Sequence, residues 1–101
     1  MSFNGTEGEF ITLEEGADLT AAWRNTGHGT VKGYFYGKEK LQELLSGDSE
    51  GIRIYFGEGS EGIANLVLVG ADAEENDLLD KILETGIPCP KNCSTNNPLN
   101  S

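Results

Sequence analysis

Two apolar runs, separated by six glycine- and glutamate-rich residues, constrain this chain more than any other feature. Ile52-Arg53-Ile54-Tyr55-Phe56 alternates with period two, as a strand with one buried face must. Gly57-Glu58-Gly59-Ser60-Glu61-Gly62 has the composition of a turn. Ile63 to Val69 then runs apolar on both faces, as expected of a central strand. Together they predict an antiparallel hairpin. Ile52, Ile54 and Phe56 should face a core, with Arg53 and Tyr55 pointing away.

The other elements are read around that hairpin. Thr12-Leu13-Glu14-Glu15 matches a capping box, so a helix should begin at Thr12. Leu13, Gly16, Ala17, Leu19, Thr20 and Trp23 fall on one face of it. Asn25-Thr26-Gly27 should end it, because glycine readily takes the left-handed terminal conformation. Val31 to Tyr36 reads as a strand, and residues 38–46 as a short helix with Leu41, Leu44 and Leu45 on one side. Leu78, Leu79, Ile82 and Leu83 have helical spacing, so a third helix is expected after an Asn76 or Asp77 cap. Gly86 and Pro88 should stop it.

This order predicts an α+β domain, with a small antiparallel or mixed sheet and helices packed on one face. The 12–24 helix is expected on the 52–69 hairpin. Residues 1–9 read as a flexible N-terminal segment, tethered by Phe3 or Phe10. Residues 10–87 read as a single α+β domain, and 88–101 as an irregular tail containing Pro, Asn and Cys.

With 101 residues the chain fits one domain. Only 37% of it is apolar and 14 residues are glycine, so the core should be thin. Seven basic residues against 17 acidic ones give a net charge of −10. Such a surface repels nucleic-acid phosphates and anionic lipid, which argues against direct nucleic-acid binding. It favours a basic protein partner. The N-terminus has no basic and apolar leader, and Leu66-Val67-Leu68-Val69 is far too short to span a bilayer. The expected address is the cytoplasm, without membrane insertion.

Four places in the chain could carry chemistry. Cys89 and Cys93 are spaced C-x3-C between prolines. A disulfide needs the chain to turn and an oxidising compartment. A redox dithiol normally shows C-x2-C at a helix start, and a zinc site needs four ligands, which one chain with a single His hardly supplies. Two reduced thiols in a tail complete the alternatives. His28, in a glycine-rich loop, has no nucleophile beside it and reads as a solvated histidine. The run Asp72 to Asp77 fails the calcium-loop pattern at positions 5, 6 and 12, and reads as a turn leading into a cap. Gly57, Gly59 and Gly62 form G-x-G-x-x-G, but between strands and beside Glu58 and Glu61, where a pyrophosphate would be repelled. No catalytic residue, cofactor-binding residue or metal ligand is assigned, and no cofactor is expected.

Tyr34, Tyr36 and Tyr55, with Lys32 and Arg53, are expected to share the second sheet face. Tyrosine- and arginine-rich surfaces are typical of protein interfaces.

Arg24-Asn25-Thr26, Gly33-Tyr34-Phe35-Tyr36-Gly37-Lys38, Gly51 to Gly57, Leu66 to Asp72 and Pro88-Cys89-Pro90 together resemble a family of small uncharacterised bacterial proteins, from about Ile11 onward. The resemblance implies a bacterial source and brings no activity and no site residues.

The leading functional expectation is a non-catalytic, acidic protein-protein interaction or self-assembling module. One alternative is a thiol/disulfide or metal-binding protein acting through Cys89 and Cys93. Another is an acidic inhibitor or immunity-type protein.

Overall fold

The computed structural model describes residues 2–101. It is a small α+β fold with two helices and two antiparallel sheets. The chain divides into two compact units. The larger comprises the N-terminal segment through Gly8 and Tyr36–Gly86; the smaller comprises Glu9–Phe35 and Ile87–Ser101.

The larger unit carries the expected hairpin. β2 (Gly51–Glu58) pairs antiparallel with β3 (Ala64–Ala71), from Gly51 opposite Ala71 to Glu58 opposite Ala64. A one-turn 3-10 segment, Ser60–Gly62, closes the loop, and the Gly59 N–H donates to the Ile63 carbonyl at 2.8 Å. α2 (Lys38–Leu44) lies on the sheet face that carries Gly70. Its Leu44 is buried, and a Cβ built on Gly70 would meet the Leu44 carbonyl at 2.6 Å. Among the described residues the buried apolar side chains are Leu44, Leu68, Val69 and Ala71, so the core lies along β3 and is thin.

The third expected helix is a strand. β4 (Asp77–Leu83) pairs antiparallel with β3, giving the order β2-β3-β4. β3 is apolar on both faces, and without β4 its second edge would leave ladder groups unpaired. The register explains the misleading spacing. Leu78 pairs with Gly70 and Ile82 with Val69, so residues 79–81 bulge out of the ladder. Leu78 and Leu83 therefore turn inward and are half-buried, while Leu79 and Ile82 are exposed. Two apolar doublets four residues apart mimic a helix for that reason. No helix cap forms at Asn76 or Asp77. Instead the Asp72 carboxylate accepts from the Glu74 and Asn76 amides at 3.0 and 2.9 Å, bending the chain between β3 and β4.

The N-terminal segment belongs to the larger unit. The Phe3 amide donates to the Ala73 carbonyl at 3.0 Å, and the Arg53 guanidinium lies 5.4 Å from the Phe3 ring centre. Phe3 is thus the anchor, whereas Phe10 is fully exposed.

In the smaller unit, α1 (Leu13–Asn25) begins with the expected capping box: Thr12 Oγ1 accepts from the Glu15 amide and the Glu15 carboxylate accepts from the Thr12 amide. Gly27 follows its end with φ +82°. This helix, expected on the 52–69 hairpin, groups with β1 (Gly33–Phe35) and β5 (Ile87–Cys89), which form the second sheet. The start of the tail is therefore a strand. Its end is held by side chains: Arg24 donates to the Leu99 carbonyl at 2.8 Å and Lys32 to the Asn100 carbonyl at 2.7 Å. The Trp23 and His28 rings stack at 4.5 Å, so the loop histidine has a partner. Among the described residues no helix is long and apolar enough to cross a membrane.

Candidate functional site

The five residues expected to share one surface are divided between two sheets. Tyr34 lies on β1, opposite Pro88, and the Lys32 amide extends that pairing by donating to the Cys89 carbonyl. Arg53 and Tyr55 lie on β2. Tyr36 follows β1 and donates its hydroxyl to the Leu66 carbonyl of β3 at 3.2 Å. Lys32 and Tyr34 therefore belong to the smaller unit, and Tyr36, Arg53 and Tyr55 to the larger. The sequence expectation assumed one sheet, and the β1 strand instead found its partner at the far end of the chain.

Arg53 and Tyr55 converge on Asp77, whose helical spacing with the leucines that follow hides it from strand alternation. Asp77 is opposite Ala71 on β4, one strand beyond β3. Its Oδ2 accepts from the Tyr55 hydroxyl at 2.5 Å, and its Oδ1 pairs with Arg53 Nη1. The same guanidinium nitrogen donates to the Glu75 carbonyl at 3.2 Å. The cluster ties the β3–β4 turn back to β2 across the central strand.

The electrostatics suit a clamp better than a catalyst. The Tyr55 hydrogen bond, followed by Arg53, holds the Asp77 carboxyl below its ordinary value of 3.8. Donation to Asp77 raises the Tyr55 phenol above 10, and the same carboxylate raises Arg53 further. At neutral pH the phenol is protonated and the guanidinium is charged and paired. Neither is set up as a base or nucleophile.

The signs give a test. A depressed carboxyl contributes stability that is present above its unfolded value, about 3.9, and lost as pH falls through the folded one. A raised phenol contributes stability that is present below about pH 10 and lost as pH rises through the raised value. Asp77→Asn should therefore weaken the loss of stability below pH 4 and bring the Tyr55 phenol down. Phenolate absorbance titration of wild type, Asp77→Asn and Tyr55→Phe checks this. An unchanged titration in Asp77→Asn would show that the bond is absent in solution.

The opposite face of the same strand carries Ile54 and Phe56, two of the large apolar side chains left exposed. Ile52, Ile54 and Phe56 share the face of Leu66, Leu68 and Gly70. They were expected in the core, and the alternation is as read. α2 covers the Gly70 end of this face, however, leaving Ile54 52% and Phe56 90% exposed at the hairpin end. Glu50, Glu58 and Glu61 are exposed around this strand. Among the described residues Arg53–Asp77 is the one ion pair, so these carboxylates have no cationic partner.

Cys89 and Cys93 are joined by a disulfide across a turn, with their Cα atoms 4.7 Å apart. Among the described residues no group of three or more His, Cys, Asp or Glu could hold a metal ion. The glycines of the G-x-G-x-x-G run serve the hairpin: a Cβ on Gly57 or Gly59 would meet the Asn65 side chain at 2.7 or 2.9 Å. No protein-family model, curated protein or solved structure matches this chain.

Proposed function

We propose that the protein is a non-catalytic, acidic interaction module that binds another protein through the hairpin end of its three-stranded sheet. The observation that carries this reading is the pair Ile54 and Phe56, left 52% and 90% exposed on the core-side face of β2. Large apolar side chains that a fold leaves side by side in water mark contact surfaces more often than scattered single ones do. The net charge of −10 adds long-range attraction for a basic partner. The expected interface at Lys32, Tyr34, Tyr36, Arg53 and Tyr55 is replaced in this reading by Ile54 and Phe56.

A native mass spectrum of protein purified without reductant tests it. A second chain should be retained at fixed stoichiometry, and should be lost from a folded Ile54→Glu/Phe56→Glu variant. A bare monomer in both samples would overturn the reading. A complex that survives the double change would move the contact elsewhere.

The bonded Cys89–Cys93 pair supports a second reading, a thiol/disulfide protein. The same spectrum addresses it. A mass two hydrogens short of the reduced chain, regained on mild reduction together with a change in partner retention, would favour it. A retention unaffected by reduction would not.

A further inference from the structure

The disulfide sits in the part of the chain with least else to hold it. Among the described residues every buried one lies in the larger unit, and α1 has none. A unit near about 40 residues usually needs a disulfide, a metal or a partner to stay folded. A helix as short as α1 is marginal alone in water. The smaller unit is also built from two separate stretches, Glu9–Phe35 and Ile87–Ser101.

The contacts that join these stretches fall on both sides of the Cys89–Cys93 bond. Before it, the β1–β5 pairing puts Gly33 opposite Cys89, and the Lys32 amide donates to the Cys89 carbonyl at 2.6 Å. After it, the Lys32 ammonium donates to the Asn100 carbonyl at 2.7 Å and Arg24 to the Leu99 carbonyl at 2.8 Å. The Leu99 side chain lies against α1 at Gly16, where a Cβ would meet it at 3.3 Å. Lys32 is thus bonded to the tail twice, once on each side of the disulfide.

Between the cysteines the chain turns, with the Asn92 amide donating to the Pro88 carbonyl at 3.1 Å. The covalent bond fixes this turn, so both sets of contacts form together. Without it the turn is free to open, and each set must hold by itself. Single exposed hydrogen bonds hold weakly in water. The bond is also within reach of solvent. Cys93 is exposed and Cys89 half-buried, so an incoming thiolate meets the Cys93 sulfur first.

Resting on the thiol/disulfide reading above, we infer that the Cys89–Cys93 bond is a redox latch on the smaller unit. Oxidised, it keeps Ile87–Ser101 on β1 and α1. Reduced by a dithiol, it lets that segment go, and α1 loses its support. The first thiolate of the reductant attacks Cys93 Sγ, the Cys89–Cys93 bond breaks, and Cys89 leaves as a thiolate that takes up a proton. The second thiol gives up its proton and attacks the reductant's own sulfur in the mixed disulfide. The reductant closes to a disulfide, and Cys93 leaves and is protonated. Two electrons and two protons have then passed to the chain.

The chain's one tryptophan, Trp23, lies in α1 and stacks on His28, so its emission reports on the smaller unit. The test compares the whole oxidised chain with the same chain in millimolar dithiothreitol, the thiol state being read by mass. Reduction should speed hydrogen exchange at the Lys32 and Asn92 amides about tenfold or more. It should move Trp23 emission to longer wavelength and leave the β3 amides unchanged. Reoxidation should reverse both changes. Cys89→Ser/Cys93→Ser should behave as the reduced chain and ignore dithiothreitol.

Full reduction with unchanged exchange and emission would overturn the latch and leave the thiol/disulfide reading standing. Loss of protection in β3 as well would also overturn it, because the bond would then support the whole chain. A chain whose mass shows both thiols free even after incubation with oxidised glutathione would overturn the latch and that reading together.

Discussion

Leu68→Ala should lower the stability of the larger unit by about 2–5 kcal/mol, the usual cost of emptying a buried leucine site. Leu68 is 4% exposed, at the middle of the central strand, opposite Ile54 on β2 and Leu83 on β4. Few side chains share its burial, so little else can collapse into the space. Domains of this kind are stable by only about 5–15 kcal/mol, and one residue then holds a large share of the total. Urea unfolding gives the number. Phe56→Ala serves as the contrast, because a side chain 90% exposed should change stability by no more than about 0.5 kcal/mol. Equal costs at the two positions would mean that the hairpin end is covered in solution.

Gly70→Ala should be nearly as damaging for the opposite reason. The added Cβ would stand 2.6 Å from the Leu44 carbonyl and 3.0 Å from Ser49 Oγ. The serine can rotate, but the carbonyl is backbone at the end of α2. The helix must therefore shift off β3, taking buried Leu44 with it. Overpacking of this kind costs about 1–3 kcal/mol, and backbone contact places Gly70→Ala at the upper end. Gly51→Ala is the control: Gly51 opens β2, and a Cβ there would meet nothing within 4 Å. A melting temperature that falls for Gly70→Ala and holds for Gly51→Ala is expected. A fall of equal size in both would show that α2 is not seated on Gly70.

Local signals carried most of what was legible in the chain. The Thr12–Glu15 capping box and Gly27 bound α1 because both act within a few residues. The hairpin was legible because period-two alternation and a glycine-rich turn agree. β4 was not, because its bulge rearranges four apolar residues into helical spacing, and only the open edge of β3 decides the matter. The β1–β5 pairing joins Gly33 to Cys89, a separation that no local pattern encodes. The same blindness hid the clamp. Arg53 and Tyr55 were visible as a polar pair, but Asp77 reaches them only once β4 is a strand. Ile54 and Phe56 were assigned to the right face. Their exposure depends on how far along that face α2 extends, which composition does not report.

The most direct test of the interaction claim is site-specific photocrosslinking in the expressing cell, with a benzophenone amino acid at Phe56 and, as reference, at Glu14 on the polar side of α1. The account predicts one discrete protein adduct from position 56, suppressed by Ile54→Glu in the same chain, and none from position 14. No adduct at position 56, or adducts alike at both positions and indifferent to Ile54→Glu, would contradict it.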